Sequence, residues 1–327
     1  MTAAPVPIQK TKASIRDYMA IARFDHWVKN VFVLPGVVIP FTISVPTDLL
    51  GFAIRLAIGM LAVGLITSSN YIINEVMDAP FDRHHPTKRF RPVPSGKISV
   101  PIAYVQWLAF MAAGMLLSLM VSRPFAVVML VLWIMGLLYN IAPIRTKDIA
   151  YLDVLSESVN NPLRMLAGWY IAGGGASPPV SLLVCYWMVG CYFMAIKRYS
   201  EYREIANGEI SSRYRKSFSH YNEHRLLVSI MFYASFAMMT FGAFVVRYRM
   251  ELVLAFPTVA LVMAIYLKLS FEPNSAAQNP ERLYREPALM WAVCCCSAVV
   301  VLLLFVDMPW LHQLFAPLSV GLHPSAL

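Results

Sequence analysis

The chain has 327 residues, of which 58 % are hydrophobic and only 14 % charged, and its mean hydropathy is +0.59. Soluble domains are about half apolar and a quarter charged, so this balance points to lipid rather than water. The net charge of +9 would suggest a nucleic-acid partner in a soluble chain. Here apolar runs of membrane-crossing length dominate, which excludes a nucleic-acid module, a soluble enzyme and a disordered tail.

Residues 1–22 hold no short apolar segment followed by a cleavage site and read as a basic cytoplasmic arm. About nine apolar runs follow, each near the length needed to cross a bilayer. They cover roughly 30–43, 52–73, 102–121, 124–142, 151–172, 180–196, 226–246, 252–270 and 288–306. The first is short and interrupted by Pro35 and Pro40. The fifth is the least apolar, carrying Asp153, Glu157, Asn160, Asn161 and Arg164. A helix that polar survives in lipid only if its polar face lines a cavity inside the protein.

Lys and Arg gather in alternate connections. One set comprises Lys10, Lys12, Arg16, Arg23 and Lys29 in the arm, then Arg83, Lys88, Arg89, Arg91 and Lys97. Arg145 and Lys147 follow the fourth run, the 197–225 connection is strongly basic, and Lys268, Arg282 and Arg285 close the set. The other connections hold only Arg123, Arg247 and Arg249. The positive-inside rule then places the N-terminus, the long motif-rich loops and any chemistry on the cytoplasmic face of the cell (inner) membrane, with the C-terminus outside. The expectation is an all-α polytopic membrane protein: an arm over 1–22, one transmembrane domain over 23–308 and a short tail over 309–327. Five cysteines lie in apolar runs without CxxC or Cys/His spacing, which implies neither a zinc site nor a disulfide framework.

The sharpest local pattern ends the second run. Asn74, Asp78 and Asp82 recur every four residues and so share one helical face, where stacked carboxylates repel one another and call for a cation. Oxygen-only ligands select a hard ion, and Mg²⁺ favours a few carboxylates completed by phosphate oxygens and water. Pro80 inside this stretch predicts that the helix breaks there. The run His84-His85-Pro86-Thr87-Lys88-Arg89-Phe90-Arg91-Pro92 follows, and its cations next to the carboxylates suit a ligand that is both metal-bound and multiply anionic, such as a diphosphate.

At these residues the chain resembles the UbiA superfamily of membrane prenyltransferases, typically nine-helix bundles. Its first motif, Asn-Asp-x-x-Asp-x-x-x-Asp, stands here as Asn74-Glu75 with Asp78 and Asp82, and its Arg-Pro-x-x-x-Gly loop as Arg91-Pro92-Val93-Pro94-Ser95-Gly96. Within the superfamily the resemblance narrows to the decaprenyl-phosphate phosphoribosyltransferase branch. It is carried by Trp27-Val28-Lys29-Asn30, by Asp82 through Pro92, by Arg164-x-x-Ala167-Gly168 with Asp153 upstream, and by Lys197-Arg198-Tyr199-x-Glu201 followed by Arg215-Lys216-x-Phe218-x-x-Tyr221 and Arg225.

That branch implies transfer of a 5-phosphoribosyl group from phosphoribosyl diphosphate (PRPP) to a polyprenyl phosphate, with release of pyrophosphate. The product would feed lipid-linked pentose donors, and the membrane setting leaves room for a homo-oligomer. By resemblance, Asn74, Asp78 and Asp82 bind Mg²⁺ and pyrophosphate and are the catalytic set. Lys29, Lys88, Arg89, Arg91, Arg164, Lys197 and Arg198 become phosphate ligands, and Tyr199 a hydroxyl donor. The alternative within the superfamily is an aromatic prenyltransferase using polyprenyl diphosphate, which predicts fewer cations. Three departures stand out. Glu75 replaces the usual Asp, Arg23-Phe24 replaces a common Arg-Pro, and the place of the second carboxylate cluster holds Asp153, Glu157, Asn160 and Asn161, which bears on a second metal.

Overall fold

A computed structural model describes residues 13–42, 44–83, 88–173, 177–205, 216–273, 275–278 and 280–316. The motif residues His84 to Thr87, Arg215, residues 1–12 of the arm with Lys10 and Lys12, and residues 317–327 of the tail lie outside the described residues. Helices α1 (Ile15–Ala22), α2 (Leu34–Phe41), α3 (Leu49–Asp82), α4 (Val100–Val121), α5 (Arg123–Asn140), α6 (Leu152–Ser158) and α7 (Asn160–Ile171) come first. Then follow α8 (Val180–Ile205), α9 (Glu223–Tyr248), α10 (Phe256–Leu269), α11 (Pro287–Phe305) and α12 (Pro309–Leu314). The described residues are all-α, as expected.

Among the described residues seven helices are long and apolar enough to cross a membrane, where about nine spans were expected. The other two expected spans are built from short pieces. The first is a 3₁₀ stretch, Phe24–Val33, running into α2, because Pro35 and Pro40 deny the chain two backbone donors. The fifth divides at Val159 into α6 and α7. Pro162 explains the division, since its ring clashes with the carbonyl four residues earlier, that of Ser158.

The expected break at Pro80 does not occur, and α3 continues to Asp82. Pro80 sits in the last turn, where few intrahelical bonds remain to lose, and the Arg83 amide still reaches the carbonyl of Ala79. At 34 residues α3 is about 50 Å long, well beyond a hydrocarbon core, so its Asp78–Asp82 end projects past the apolar slab.

Long antiparallel neighbours make the frame: α3 lies along α4, and α8 along α9. One apolar cluster joins α8 and α9 through Tyr192, Ile196, Leu226 and Ile230, and a second joins α2, α3, α5 and α7 through Val37, Ile66, Phe125 and Ile171. Close backbone approach sets the α2–α7 crossing. A Cβ on Gly36 would fall 1.9 Å from the Met165 carbonyl oxygen, and one on Gly168 would fall 2.1 Å from that of Val33. Only glycine permits such a contact, and the crossing brings Asn30 within 3.4 Å of Arg164.

The described part of the arm is folded onto the domain. α1 opens with a capping box between Ser14 and Asp17, buries Ile21 and Ala22, and receives a hydrogen bond from Gln106 to the Tyr18 carbonyl. These Ser14 bonds hold the Asp17 carboxyl below its ordinary range. α12, in the tail, is tied down through His312 to Glu251.

Candidate functional site

A polar cavity of about 350 Å³ opens among α3, α5, α7, α8 and the 3₁₀ stretch 24–33. The four-residue spacing in α3 brings Asn70, Asn74 and Asp78 to it on one face. Asp78 Oδ1 accepts from Lys147 Nζ at 2.6 Å and from Arg145 Nη2 at 2.9 Å. Asn74 donates to Asn140 Oδ1 at 2.5 Å, and Lys147 reaches the same oxygen at 2.8 Å. Arg145 is held for this contact in a left-handed backbone conformation, φ 32°, which a side-chain-bearing residue adopts only under constraint. Its remaining nitrogens bond Asp148 and the Asn140 carbonyl.

Asp82, one turn further on, does not line the cavity. It is buried and accepts from Arg91 Nη1 at 2.7 Å. Glu75, the unusual residue in the motif, is buried beneath the same loop and accepts the Val93 backbone N–H at 3.1 Å. Two carboxylates of α3 therefore pin the Arg91–Gly96 loop, which closes with Gly96 at φ +76°. Arg91 and Lys88 thereby reach the cavity wall.

On the facing side stand Lys29, Glu157, Asn160, Arg164, Lys197, Arg198 and Glu201. Arg164 is buried in α7, with Nε 3.4 Å from Asn30 Oδ1 and Nη1 3.5 Å from the Asn160 carbonyl. Arg198 bonds Asp153 Oδ2 at 2.9 Å and Glu201 Oε2 at 3.1 Å. Asp153 also accepts from the Tyr221 hydroxyl at 2.7 Å. Burial, with the Asp153 carboxylate next, pushes the Tyr221 phenol well above its ordinary range, so it remains a donor.

The cavity thus gathers Lys29, Asn74, Asp78, Lys88, Arg91, Asn160, Arg164, Lys197 and Arg198 from the sequence candidates. It leaves out five. Arg89 is exposed, its guanidinium 4.8 Å from the Phe90 ring. Tyr199 is buried and donates to Glu223 at 2.9 Å, in the apolar cluster between α8 and α9. Asn161 packs against Gly190, while Asp82 and Asp153 face partners inside the protein. Sequence reasoning missed Arg23, His26, Tyr71, Tyr139, Asn140, Lys147 and the adjoining Arg145 as site residues. For Arg145 and Lys147 the signal was there but absorbed: two cations after an apolar run satisfy the topology rule by themselves.

Eight Lys and Arg side chains line this cavity against the carboxylates Asp78, Glu157 and Glu201. A pocket lined with such a surplus of cations suits a multiply charged anion.

Comparison with known proteins agrees with that chemistry. Residues 31–291 match the model of the UbiA prenyltransferase family. The chain is 31% identical over 211 residues to the decaprenyl-phosphate phosphoribosyltransferase of Mycolicibacterium smegmatis, covering 62% of this chain and 61% of that one. It is 33% identical over 164 residues to an uncharacterised protein of Sinorhizobium fredii, covering 50% of this chain and 30% of that protein. The chain therefore matches less than two thirds of the length of either relative. The structure of a UbiA homologue from Archaeoglobus fulgidus, bound to GPP and Mg²⁺, superimposes with a TM-score of 0.65 at 22% identity, over 86% of this chain and 99% of that one.

Proposed function

The chain belongs to the UbiA prenyltransferase family, and from that premise we propose that it transfers a 5-phosphoribosyl group from PRPP to a polyprenyl phosphate in the cell membrane, on the cytoplasmic face. The observation that carries the reading is the surplus of cations around one cavity. PRPP brings a diphosphate and a separate 5-phosphate, and the lipid adds a third anion. A prenyl diphosphate with an aromatic acceptor would need fewer positive groups. The name of the Mycolicibacterium relative supports the same choice.

Asn74 and Asp78 fit a Mg²⁺ site. Both line the cavity, and with the Asn74 amide nitrogen bonded to Asn140 its oxygen is the atom left for a cation. Bound there, Mg²⁺ would neutralise charge on the leaving pyrophosphate. Asp82 acts at one remove, holding Arg91 and its loop in place.

The reacting lipid phosphate has its second pKa at about 6, so it is ionised near neutral pH and needs no strong general base. One of its oxygens bonds to ribose C1 as the bond from C1 to the diphosphate oxygen breaks, and the electron pair leaves with pyrophosphate. Lys147, Arg145 and Lys88 are placed to receive that charge on the Asp78 side. Arg198 would meet the diphosphate from the facing wall, and Lys29, Arg164 and Lys197 would orient the other phosphates. Catalysis then rests on placement and on charge stabilisation.

The test incubates membranes containing the protein with Mg²⁺, polyprenyl phosphate and radiolabelled PRPP, and counts label extracted into organic solvent. Counts that disappear with EDTA and in Asp78→Ala are expected. Their absence, in membranes that do prenylate an aromatic acid from polyprenyl diphosphate, would give the site to the other chemistry.

A further inference from the structure

Asp153 occupies the segment where a second carboxylate cluster was expected, yet it has no exposed surface and does not line the cavity. Its donors come from three places in the fold. Oδ2 accepts from Arg198 Nε at 2.9 Å, in α8, and from Ser217 Oγ at 3.3 Å, in the 3₁₀ turn Lys216–Ser219. Oδ1 accepts from the Tyr221 hydroxyl at 2.7 Å, and that hydroxyl in turn accepts the Tyr151 backbone N–H at 2.6 Å. A buried carboxylate so supplied has its oxygens spent on donors within the protein.

The beneficiary is Arg198. It is 2% exposed, and its Nη1 bonds Glu201 at 3.1 Å while the same residue lines the cavity. A guanidinium is a rigid planar fork, so fixing Nε and one Nη fixes the direction of every other N–H. Held from behind, it meets an incoming anion without first losing rotamer freedom.

We propose that Asp153, with Ser217 and Tyr221, is a positioning residue that aims Arg198 at the diphosphate of the substrate and is not a metal ligand. The inference rests on the reading of the cavity as a diphosphate site, though not on whether ribose or a prenyl chain carries that group. In this chain the carboxylate of the fifth segment orders a cation where a carboxylate open to the cavity could have bound one.

Binding of inorganic pyrophosphate to the purified full-length protein, followed by calorimetry across a range of Mg²⁺ concentrations, tests it. Tyr221→Phe removes one hydrogen bond and should weaken pyrophosphate about fivefold. Asp153→Asn should weaken it about tenfold or more, with the Mg²⁺ requirement unmoved in both. Arg198→Gln should cost at least as much, and adding Tyr221→Phe or Asp153→Asn to it should cost less than about twofold further, since the two act through one group. A shifted Mg²⁺ requirement in Asp153→Asn, or full additivity with Arg198→Gln, overturns the proposal. Should Asp153→Asn not fold, the Tyr221→Phe cycle carries the same decision. Wild-type protein that fails to bind pyrophosphate overturns the site reading and this inference together, whereas binding that is indifferent to all these variants overturns the inference alone.

Discussion

Both ends of the bundle bury carboxylates among cations, and the two clusters are built to opposite purposes. α9 starts at Glu223, beside Tyr199, and runs 26 residues, about 39 Å, so that its far end lies across the apolar slab from the cavity. There Glu251, 1% exposed, accepts the Met308 backbone N–H at 3.1 Å and contacts His312 at 3.0 Å, while Arg249 reaches Asp307 at 2.7 Å. Arg249 stands in the turn after α9, Asp307 and Met308 in the turn between α11 and α12, and His312 within α12 itself. That is a clasp. At the other end the cations outnumber the carboxylates more than two to one around open volume. Ion pairing within a membrane protein is thus not informative by itself; a surplus of cations lining open volume is, because it suits an anionic ligand.

If that contrast is right, removing charge at the cavity changes chemistry and removing it at the clasp changes stability. The largest effect should come from Asp78→Asn, which takes the cavity-lining carboxylate from the proposed metal site while preserving shape. Turnover should fall on the order of a thousandfold, measured as phosphoribosyl transfer into lipid, with the thermal midpoint little changed. Near-normal turnover would remove Asp78 from the metal assignment.

Lys147→Ala should follow. Lys147 is buried against Asp78 and Asn140, and losing its charge-assisted bonds should raise the KM for the anionic donor about thirtyfold. The KM for lipid should move much less. An equal rise for both substrates would make Lys147 a structural prop for the α5–α6 connection.

The sequence disclosed one half of this arrangement far better than the other. The i, i+4 spacing of Asn74 and Asp78 places both on one face without any tertiary information, and the structure brings that face to the cavity. The same spacing reaches Asp82, but only the folded Arg91–Gly96 loop shows that a guanidinium waits there instead of open volume. Arg164 was legible because an Arg inside an apolar run demands a polar neighbour. Tyr199 was not, because a tyrosine beside two cations reads alike whether its hydroxyl meets a ligand or Glu223. The helical class followed from composition and run length. The divided first and fifth spans followed less readily, since Pro40 and Pro162 interrupt a helix only to the degree that packing fails to compensate.

A third experiment tests the clasp. Glu251→Gln removes the charge that Arg249 and His312 share, and should lower stability by about 1–2 kcal/mol, seen as a reduced thermal midpoint in detergent. Pyrophosphate affinity should stay within about twofold of wild type, because the cluster lies a bilayer's thickness from the cavity. Weakened binding without loss of stability would mean that the two ends are coupled through α9, and the division of purposes would fail.

The smallest effect sharpens the comparison within a single loop. Arg89 and Arg91 sit two residues apart in the same basic run, and nothing in their sequence context separates them. Arg91 lines the cavity and bonds Asp82, whereas Arg89 is exposed and stacked on Phe90. An exposed cation outside the cavity is screened by salt and contributes little to binding. Arg89→Ala should therefore change the donor KM less than about twofold, while Arg91→Ala raises it about tenfold or more and loosens the loop that carries Lys88. Steady-state kinetics at two ionic strengths decide it. Equal losses from the two variants would mean that the loop folds over the substrate with both guanidinium groups inward, and that the cavity wall includes Arg89 once a ligand is bound.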